Sequence, residues 1–516
     1  MVDAREYHEQ TKHAPGSIGG DGNRMNPDIK PRPYKRYADL PRESISALGA
    51  VAEPALSAIT ASNAEPDLGV AATEIDAETL HTLCHYATGV TKELKKGGRL
   101  QQYRAASCTG KLYHIDLYAV TGDLGGFGPG VYHFDPSSDS FDVLREGDYR
   151  GVLAQASGDS ERVADAPVTF VATSEWWRNA WKYADRTYRH AFWDSGTILA
   201  NLLAAAHGRG HSAAVELGFA DSPVTKLLGL DPEDEAPLEL LSVGSGDTAS
   251  DASSLDSLDS IDPEEDPVSD SRVEYPLVPD AWRQSTLDDG ADARAWREKL
   301  ANAGDNAFGT HGIGDGKLID LDPVDVETAS GRPVDNTIER RGSLREFSHE
   351  AISARKFATI LDRALGGVPV TAGASGSGIA PNVLDYYCLV NAVEGIPSGA
   401  YQYHPESNAL ERLGDSDRET AGHIALDQSV VGDTVVNVYL VADVDALVDR
   451  LGNRGYRLAQ LLGGVQLGRL YLATYAHRTL GGRGFTFYDD LVTEQFSPRA
   501  ANQTPMTMFA FGKPEK

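Results

Sequence analysis

The chain writes the same pattern twice. "DRTYRHAFWDSG" at 185–196 is echoed by "NRGYRLAQLLGG" at 453–464, so that Arg186, Tyr188, Arg189 and Gly196 fall on Arg454, Tyr456, Arg457 and Gly464. An aspartate follows each leading arginine at 35 residues, Asp221 in one half and Asp489 in the other. Upstream, "HIDLYAVTGDLGGFGPGVYHFDP" (114–136) aligns with "VLDYYCLVNAVEGIPSGAYQYHP" (383–405), and 14 residues separate Tyr118 from Tyr132 as they separate Tyr387 from Tyr401. Spacing kept over three separate blocks marks a tandem duplication. Whatever unit this chain folds into, it must form twice, and surfaces that would meet between subunits can meet inside one chain.

Each copy has the same coarse reading. "IDLYAV" and "YYCLVN" are apolar strand-like runs, and each leads through a glycine-containing loop into a second short strand, as in a hairpin. The runs 186–208 and 454–477 read as helices with small and apolar residues on nearly every face, which must be buried on most faces. Packing the two against each other satisfies that, with Gly196, Ala200, Gly464 and Gly468 letting the backbones approach. Between the copies, 245–271 is Ser- and Asp-rich with little to bury, and reads as a solvated linker. The resulting division is an N-terminal extension (1–65), copy one (66–244), an acidic linker with a connecting segment (245–334) and copy two (335–516).

Composition narrows the function. The formal charge is −29, with 14 Lys against 33 Arg. Such acid excess suits a halophilic, high-salt cytoplasm and argues against a nucleic-acid partner. No apolar run reaches the ~18 residues of a membrane span, and the polar start "MVDAREYHEQTKHAPG" has no secretory h-region, so the expected location is cytoplasmic. Three cysteines without close spacing predict neither a disulfide framework nor a structural metal. The Gly-rich stretches at 309–317 and 373–378 lack the G-K-[ST] ending of a phosphate loop, and there is no G-x-S-x-G or H-E-x-x-H.

An anion would need a local basic cluster. Arg340, Arg341, Ser343 and Arg345 stand just before a sequence that reads as an amphipathic helix, where guanidiniums, a hydroxyl and a helix N-terminus could cradle a phosphate. The alternative is a set of exposed arginines balancing an acidic surface.

The order of these motifs resembles the nitroreductase-like flavoprotein superfamily. "ERRGSLREF" opening a helix that ends in "LDRALGG", "RAASCTGKLYHIDLY" (104–118), and the turns "GVYHFDP" and "GAYQYHP" carry the likeness. "YHEQTKHAP", "NPDIKPRPYKRY" and "KYADRTYRHAFWDSG" resemble its SagB/ThcOx branch, which includes FMN-dependent dehydrogenases that oxidise azolines to azoles in modified peptides. The resemblance implies an α+β fold, with two tandem nitroreductase-like domains forming an intrachain pseudo-dimer and FMN held at their interface.

The copies have lost complementary parts. The arginine cluster stands only before copy two, and the Gly110-Lys111-Leu112-Tyr113 segment only in copy one. The resemblance therefore implies one complete composite site: Arg340, Arg341, Ser343 and Arg345 from copy two, with Cys108, Thr109, Gly110 and Leu112 from copy one. It also implies that Gly481, Gly482 and Gly484 of "LGGRGFTFYDD" pass the flavin edge, and that Lys182 and Tyr183 act in catalysis. A snorkelling Lys, a core Tyr and a tight glycine turn are the plainer readings of the same residues. The expected partners are a small-molecule or modified-peptide substrate, with NAD(P)H a candidate electron donor. Competing readings are a flavin-free scaffold of the same fold and, more remotely, a hydrolase using Ser107 or Cys108, for which no base or nucleophile elbow is visible.

Overall fold

The computed structural model describes residues 2–17, 25–60, 74–246, 254–304, 307–325 and 331–515. Most of the 245–271 linker is described, but 247–253 lie outside those residues. In the first half the main strands are β1 (Ile115–Thr121), β2 (Gly130–Asp135), β3 (Ser140–Glu146), β4 (Val168–Glu175), β5 (Ala213–Glu216) and β6 (Glu235–Val243). In the second they are β7 (Asp385–Val390), β8 (Gly399–His404), β9 (Ala409–Gly414), β10 (Val436–Ala442), β11 (Gly481–Phe485) and β12 (Thr504–Pro514). The order across the first sheet is β3-β2-β1-β4-β6-β5, and across the second β9-β8-β7-β10-β12-β11, all antiparallel.

Even the irregularities repeat. The β2–β3 register slips between Val131 and Tyr132, and the β8–β9 register between Ala400 and Tyr401. The β4–β6 pairing slips between Ala172 and Thr173, and β10–β12 between Leu440 and Val441. Bulges re-aim side chains and are kept for that reason; finding them at matching places shows two copies of one α+β unit. The copies also share a sheet. A short strand from the second half, Val370–Ala372, adds to β5 in parallel.

Between the sheets lie two long helices, α1 (Thr187–Gly208) and α2 (Asn453–Ala476), with every residue from Thr187 to His207 and from Arg454 to Ala476 buried. They cross backbone to backbone at the small residues. A Cβ on Gly196 would lie 2.5 Å from the Val465 nitrogen and 2.6 Å from the Gly464 Cα. A Cβ on Gly468 would lie 2.5 Å from that of Ala200. The intrachain pseudo-dimer expected from the sequence is thus the observed architecture.

The repeated arginines close the interface. Arg186 and Arg189 leave the first copy to pair with Asp489 of the second, at 3.2 and 2.7 Å. Arg454 and Arg457 make the reciprocal pairs with Asp221, at 2.6 and 2.8 Å. All six side chains are at most 3% exposed. Charges so buried need a counter-ion, which explains why both arginines and the distant aspartate recur together.

Two further segments complete this lock in equivalent ways. The arm following helix Ala4–Gln10 gives the His13 N–H to Asp489 at 2.8 Å and the Thr11 carbonyl to Arg186. The arm following helix Leu277–Arg283 gives the Leu287 N–H to Asp221 at 3.0 Å and the Ser285 carbonyl to Arg454 at 2.9 Å. Among the described residues no helix is long and apolar enough to cross a membrane.

Candidate functional site

The turn at 108–113 is built on one buried carboxylate. Asp194, on the face of α1 that meets the first sheet, accepts from the Thr109 N–H (2.9 Å), the Thr109 hydroxyl (2.8 Å) and the Cys108 thiol (3.1 Å), and pairs with His114 Nε2 at 3.0 Å. The Tyr113 N–H donates to Cys108 Sγ at 3.0 Å. The backbone is left-handed at Gly110 (φ 64°), Lys111 (60°) and Tyr113 (52°), a run that only so many local bonds can hold. At Gly110 a side chain is also excluded by contact: a Cβ there would lie 2.8 Å from the Tyr183 hydroxyl. Leu112 points elsewhere, into a cluster with Trp177, Ala180 and Trp181.

Tyr183 ends the helix Trp176–Tyr183 and stands edge-on to His190, ring centroids 4.6 Å apart. The Lys182 ammonium lies 4.9 Å from the centre of the Tyr183 ring. Lys182 is exposed; partial burial lowers its pKa, and the positive charges of Arg483 and Lys30 lower it further. Burial raises that of Tyr183, helped by Asp194 and Cys108.

The second copy reaches across to this turn. Arg341 donates through Nε to the Ala105 carbonyl (2.9 Å) and through one terminal nitrogen to those of Arg104 and Ala106 (3.0 Å each). It therefore pins the strand end that leads into Cys108. Its guanidinium lies 5.7 Å from the Tyr471 ring. Arg340 is exposed and donates to the Arg478 carbonyl at 2.7 Å; Ser343 and Arg345 are exposed. Neither Arg340 nor Arg345 is ion-paired among the described residues.

One expectation is corrected here. The amphipathic helix placed directly after Arg345 begins only at Ala354. The intervening Phe347 and Ser348 pair with Pro514 and Lys513 of β12, so the segment is extended because the sheet edge recruits it. The arginines stand on a loop rather than at a helix N-terminus. That loop runs along β11, with the Leu344 N–H donating to the Gly482 carbonyl at 3.3 Å. The β11 glycines are approached from within the protein. A Cβ on Gly481 would meet Leu344 at 3.1 Å, and one on Gly482 the Phe509 ring at 2.7 Å. At Gly484 nothing lies closer than Leu467 at 3.4 Å, and its N–H donates to the Tyr471 hydroxyl at 2.8 Å.

The structure thus gathers Cys108, Thr109, Gly110, Lys182 and Tyr183 of one copy, with Arg341 of the other docked on the strand that enters the turn. Sequence reasoning missed Asp194, His114 and Arg483. Asp194 carried a signal: a carboxylate inside an otherwise apolar helix demands a partner. Its equivalent in copy two is Leu462, so the mirror position has no carboxylate to hold such a turn.

Cys108 is no nucleophile in this setting. Burial and the Asp194 carboxylate push its pKa well above the ordinary thiol value, and the thiolate is the reactive form. Native protein at neutral pH is expected to resist alkylation at Cys108, and Asp194→Asn to accelerate it, as read by mass spectrometry of the modified peptide. Rapid labelling of the unmutated protein would contradict this.

A helix-crossed, two-sheet α+β pseudo-dimer with a turn shared between its copies is the class these features define. Residues 71–245 match the model of the nitroreductase family. A Methanocaldococcus jannaschii protein named for the nitroreductases, MJ1384, is 25% identical over 169 residues, 32% of this chain and 80% of that protein. The microcin B17-processing protein McbC of Escherichia coli is 30% identical over 112 residues, 22% of this chain and 41% of McbC, so the match spans less than half of that relative. A crystal structure from Anabaena variabilis, also named as a nitroreductase, superimposes with a TM-score of 0.74 at 19% identity, covering the whole of both chains. That likeness establishes the fold over both copies.

Proposed function

We propose that the protein is an FMN-dependent oxidoreductase of the nitroreductase and SagB-type dehydrogenase group, working at one composite site between the copies. The observation that carries this reading is the docking of Arg341 onto residues 104–106, at the entrance to the turn that Asp194 holds. The residues present fit an anionic cofactor. Arg340 and Arg345 are solvent-facing guanidiniums without a carboxylate partner among the described residues, in a chain with 29 excess negative charges. They would hold the phosphate, while Cys108, Thr109 and Gly110 would border the ring. When bound, FMN supplies a hydride acceptor and donor at N5.

The protein's part is positioning and proton handling. Lys182 Nζ, its pKa lowered from the ordinary lysine value, takes the substrate proton. The Tyr183 hydroxyl stays protonated and donates. A relative named for processing microcin B17 supports a modified peptide or small heterocycle as substrate, with a nitro or quinone compound as alternative and NAD(P)H as donor.

The base form of a lysine appears as pH rises through its pKa, so lowering that pKa moves the rise in rate to lower pH. Arg483→Gln removes one of the charges that depress Lys182 and is expected to shift the rise in kcat/KM to higher pH, whereas Lys182→Ala abolishes the rise. A quinone-reduction assay across pH reads both; an unshifted profile in Arg483→Gln would remove Lys182 from the mechanism.

A specific observation favours the alternative, a flavin-free scaffold: Arg341 spends three hydrogen bonds on backbone carbonyls, and Phe509 already packs against Gly482. The absorption spectrum of the purified protein decides. The oxidoreductase reading expects a yellow protein that releases FMN on denaturation and an Arg340→Glu/Arg345→Glu variant that purifies colourless. A colourless unmutated protein whose thermal stability FMN does not raise supports the scaffold.

A further inference from the structure

Away from the 108–113 turn, three ligating side chains converge. His81 and His85 lie one turn apart on the helix Ala77–Thr88, so both project from one face. Asp139 faces them from the turn between β2 and β3. Its Oδ2 lies 3.1 Å from His81 Nε2 and its Oδ1 3.0 Å from His85 Nδ1, and the three donor atoms fall within 4.8 Å of one another.

Hydrogen bonding does not fully account for the arrangement. His81 Nδ1 lies 2.8 Å from the Ala47 carbonyl oxygen, which can only accept, so this nitrogen carries a proton. His81 Nε2, in a residue 3% exposed, is a buried nitrogen without a hydrogen-bond partner among the described residues, facing Asp139 and a second histidine whose ring centroid is 6.1 Å away. A divalent cation would give it that partner. With Nδ1–H donating to Ala47, the Nε2 lone pair is directed at the cluster, the backbone-oriented histidine common in metal sites. Asp139 also adopts φ 54° at the turn tip, an uncommon left-handed conformation for a non-glycine residue.

We infer that His81, His85 and Asp139 form a binding site for a zinc-class divalent cation. Metal–ligand bonds of ~2.0–2.2 Å place tetrahedral donors about 3.3 Å apart; the two histidine–carboxylate separations of 3.1 and 3.0 Å would open by a few tenths of an ångström, and all three ligand atoms already fall within 4.8 Å of one another. Neutral imidazoles with one carboxylate suit zinc rather than calcium or magnesium, and leave a fourth position for water. The side chain of Asp139 is 42% exposed, which gives the ion a path from solvent. In the sequence, the cysteine spacing and the absence of H-E-x-x-H predict no metal; the carboxylate here, Asp139, is 54 residues beyond His85. The ion would staple the helix to the β2–β3 turn; the same helix leads into the hairpin formed by Val90–Lys96 and Arg99–Arg104, whose end Arg341 holds.

Full-length protein stripped with a chelator and titrated with zinc in a calorimeter tests this. One zinc per chain is expected, with a rise in Tm, and cobalt is expected to give the d–d absorption of a low-coordinate site. Asp139→Asn keeps a residue tolerant of the left-handed backbone and is expected to weaken binding by more than the roughly 10–100-fold lost with an outer-sphere partner. His85→Ala is expected to abolish the zinc-dependent rise in Tm; should it misfold, Asp139→Asn decides alone. Absence of stoichiometric binding, or equal binding by the unmutated protein and Asp139→Asn, overturns the proposal.

Discussion

Asp489→Ala is expected to destabilise the protein by about 3–5 kcal/mol, the cost of leaving buried charges without their counter-ion. Asp489 is fully buried and is the shared counter-ion of Arg186 and Arg189, both of which are buried. It also accepts the His13 N–H, so its loss frees the arm that covers the pair. Asp221→Ala should cost a similar amount, because Asp221 holds Arg454 and Arg457 in the reciprocal arrangement. Arg272→Ala is the contrast. Arg272 pairs with Asp234 and Glu274 at the surface, 40% exposed, and such pairs contribute about 0–1 kcal/mol.

The lock also has a pH signature. Burial alone would raise the Asp489 pKa; Arg186 and Arg189 overcome this and hold it well below the usual carboxylate range. A depressed folded-state pKa gives stability that is present above the unfolded value of about 3.9 and is lost as pH falls toward the folded one. Asp489→Ala should therefore lie furthest below the unmutated protein at neutral pH, with the gap narrowing as the solution is acidified below about pH 4. Denaturant unfolding at several pH values measures both effects. Parallel stability curves down to strong acid would show that the aspartate is not the counter-ion that matters.

Gly464→Ala should destabilise where the usual rule predicts the opposite. Alanine inside a helix is ordinarily better than glycine by about 0.5–1 kcal/mol. Here the added Cβ would lie 3.0 Å from both the Trp193 Cα and its carbonyl oxygen, and closer still to the Phe192 carbonyl oxygen. All three are backbone atoms of α1, which cannot swing aside as a side chain can. Overpacking of this kind costs about 1–3 kcal/mol and sometimes more, and it separates the copies where Arg341 must reach residues 104–106. Gly463→Ala, one residue earlier, meets the Met506 and Thr507 side chains at 3.2 and 3.3 Å, which can yield. The expected order of Tm is unmutated, then Gly463→Ala, then Gly464→Ala, and a Gly464→Ala protein as stable as Gly463→Ala would show that the helices do not need their close crossing.

The candidate site was legible in proportion to how much of it consists of side-chain identity at fixed spacing. The Lys182–Tyr183 pair, Gly110 and Arg341 could be named because each stands in a short motif. The placement of Arg340 to Arg345 could not be read, because recruitment of Phe347 and Ser348 to β12 depends on a strand more than 150 residues later. His81, His85 and Asp139 illustrate the same limit, since only the β2–β3 turn brings the carboxylate to the helix.

What the sequence by itself determined is the duplication: paired arginines, their aspartates at a constant interval, and small residues where two apolar helices cross. These survive as letters because each is a side chain, or the lack of one, that no other residue type replaces. Tertiary structure alone decided that each arginine pair crosses to the opposite copy, and that the arms at 11–13 and 285–287 are equivalent. Those arms meet the lock through backbone N–H and carbonyl groups, which every residue carries alike, so their equivalence left no trace in the order of side chains.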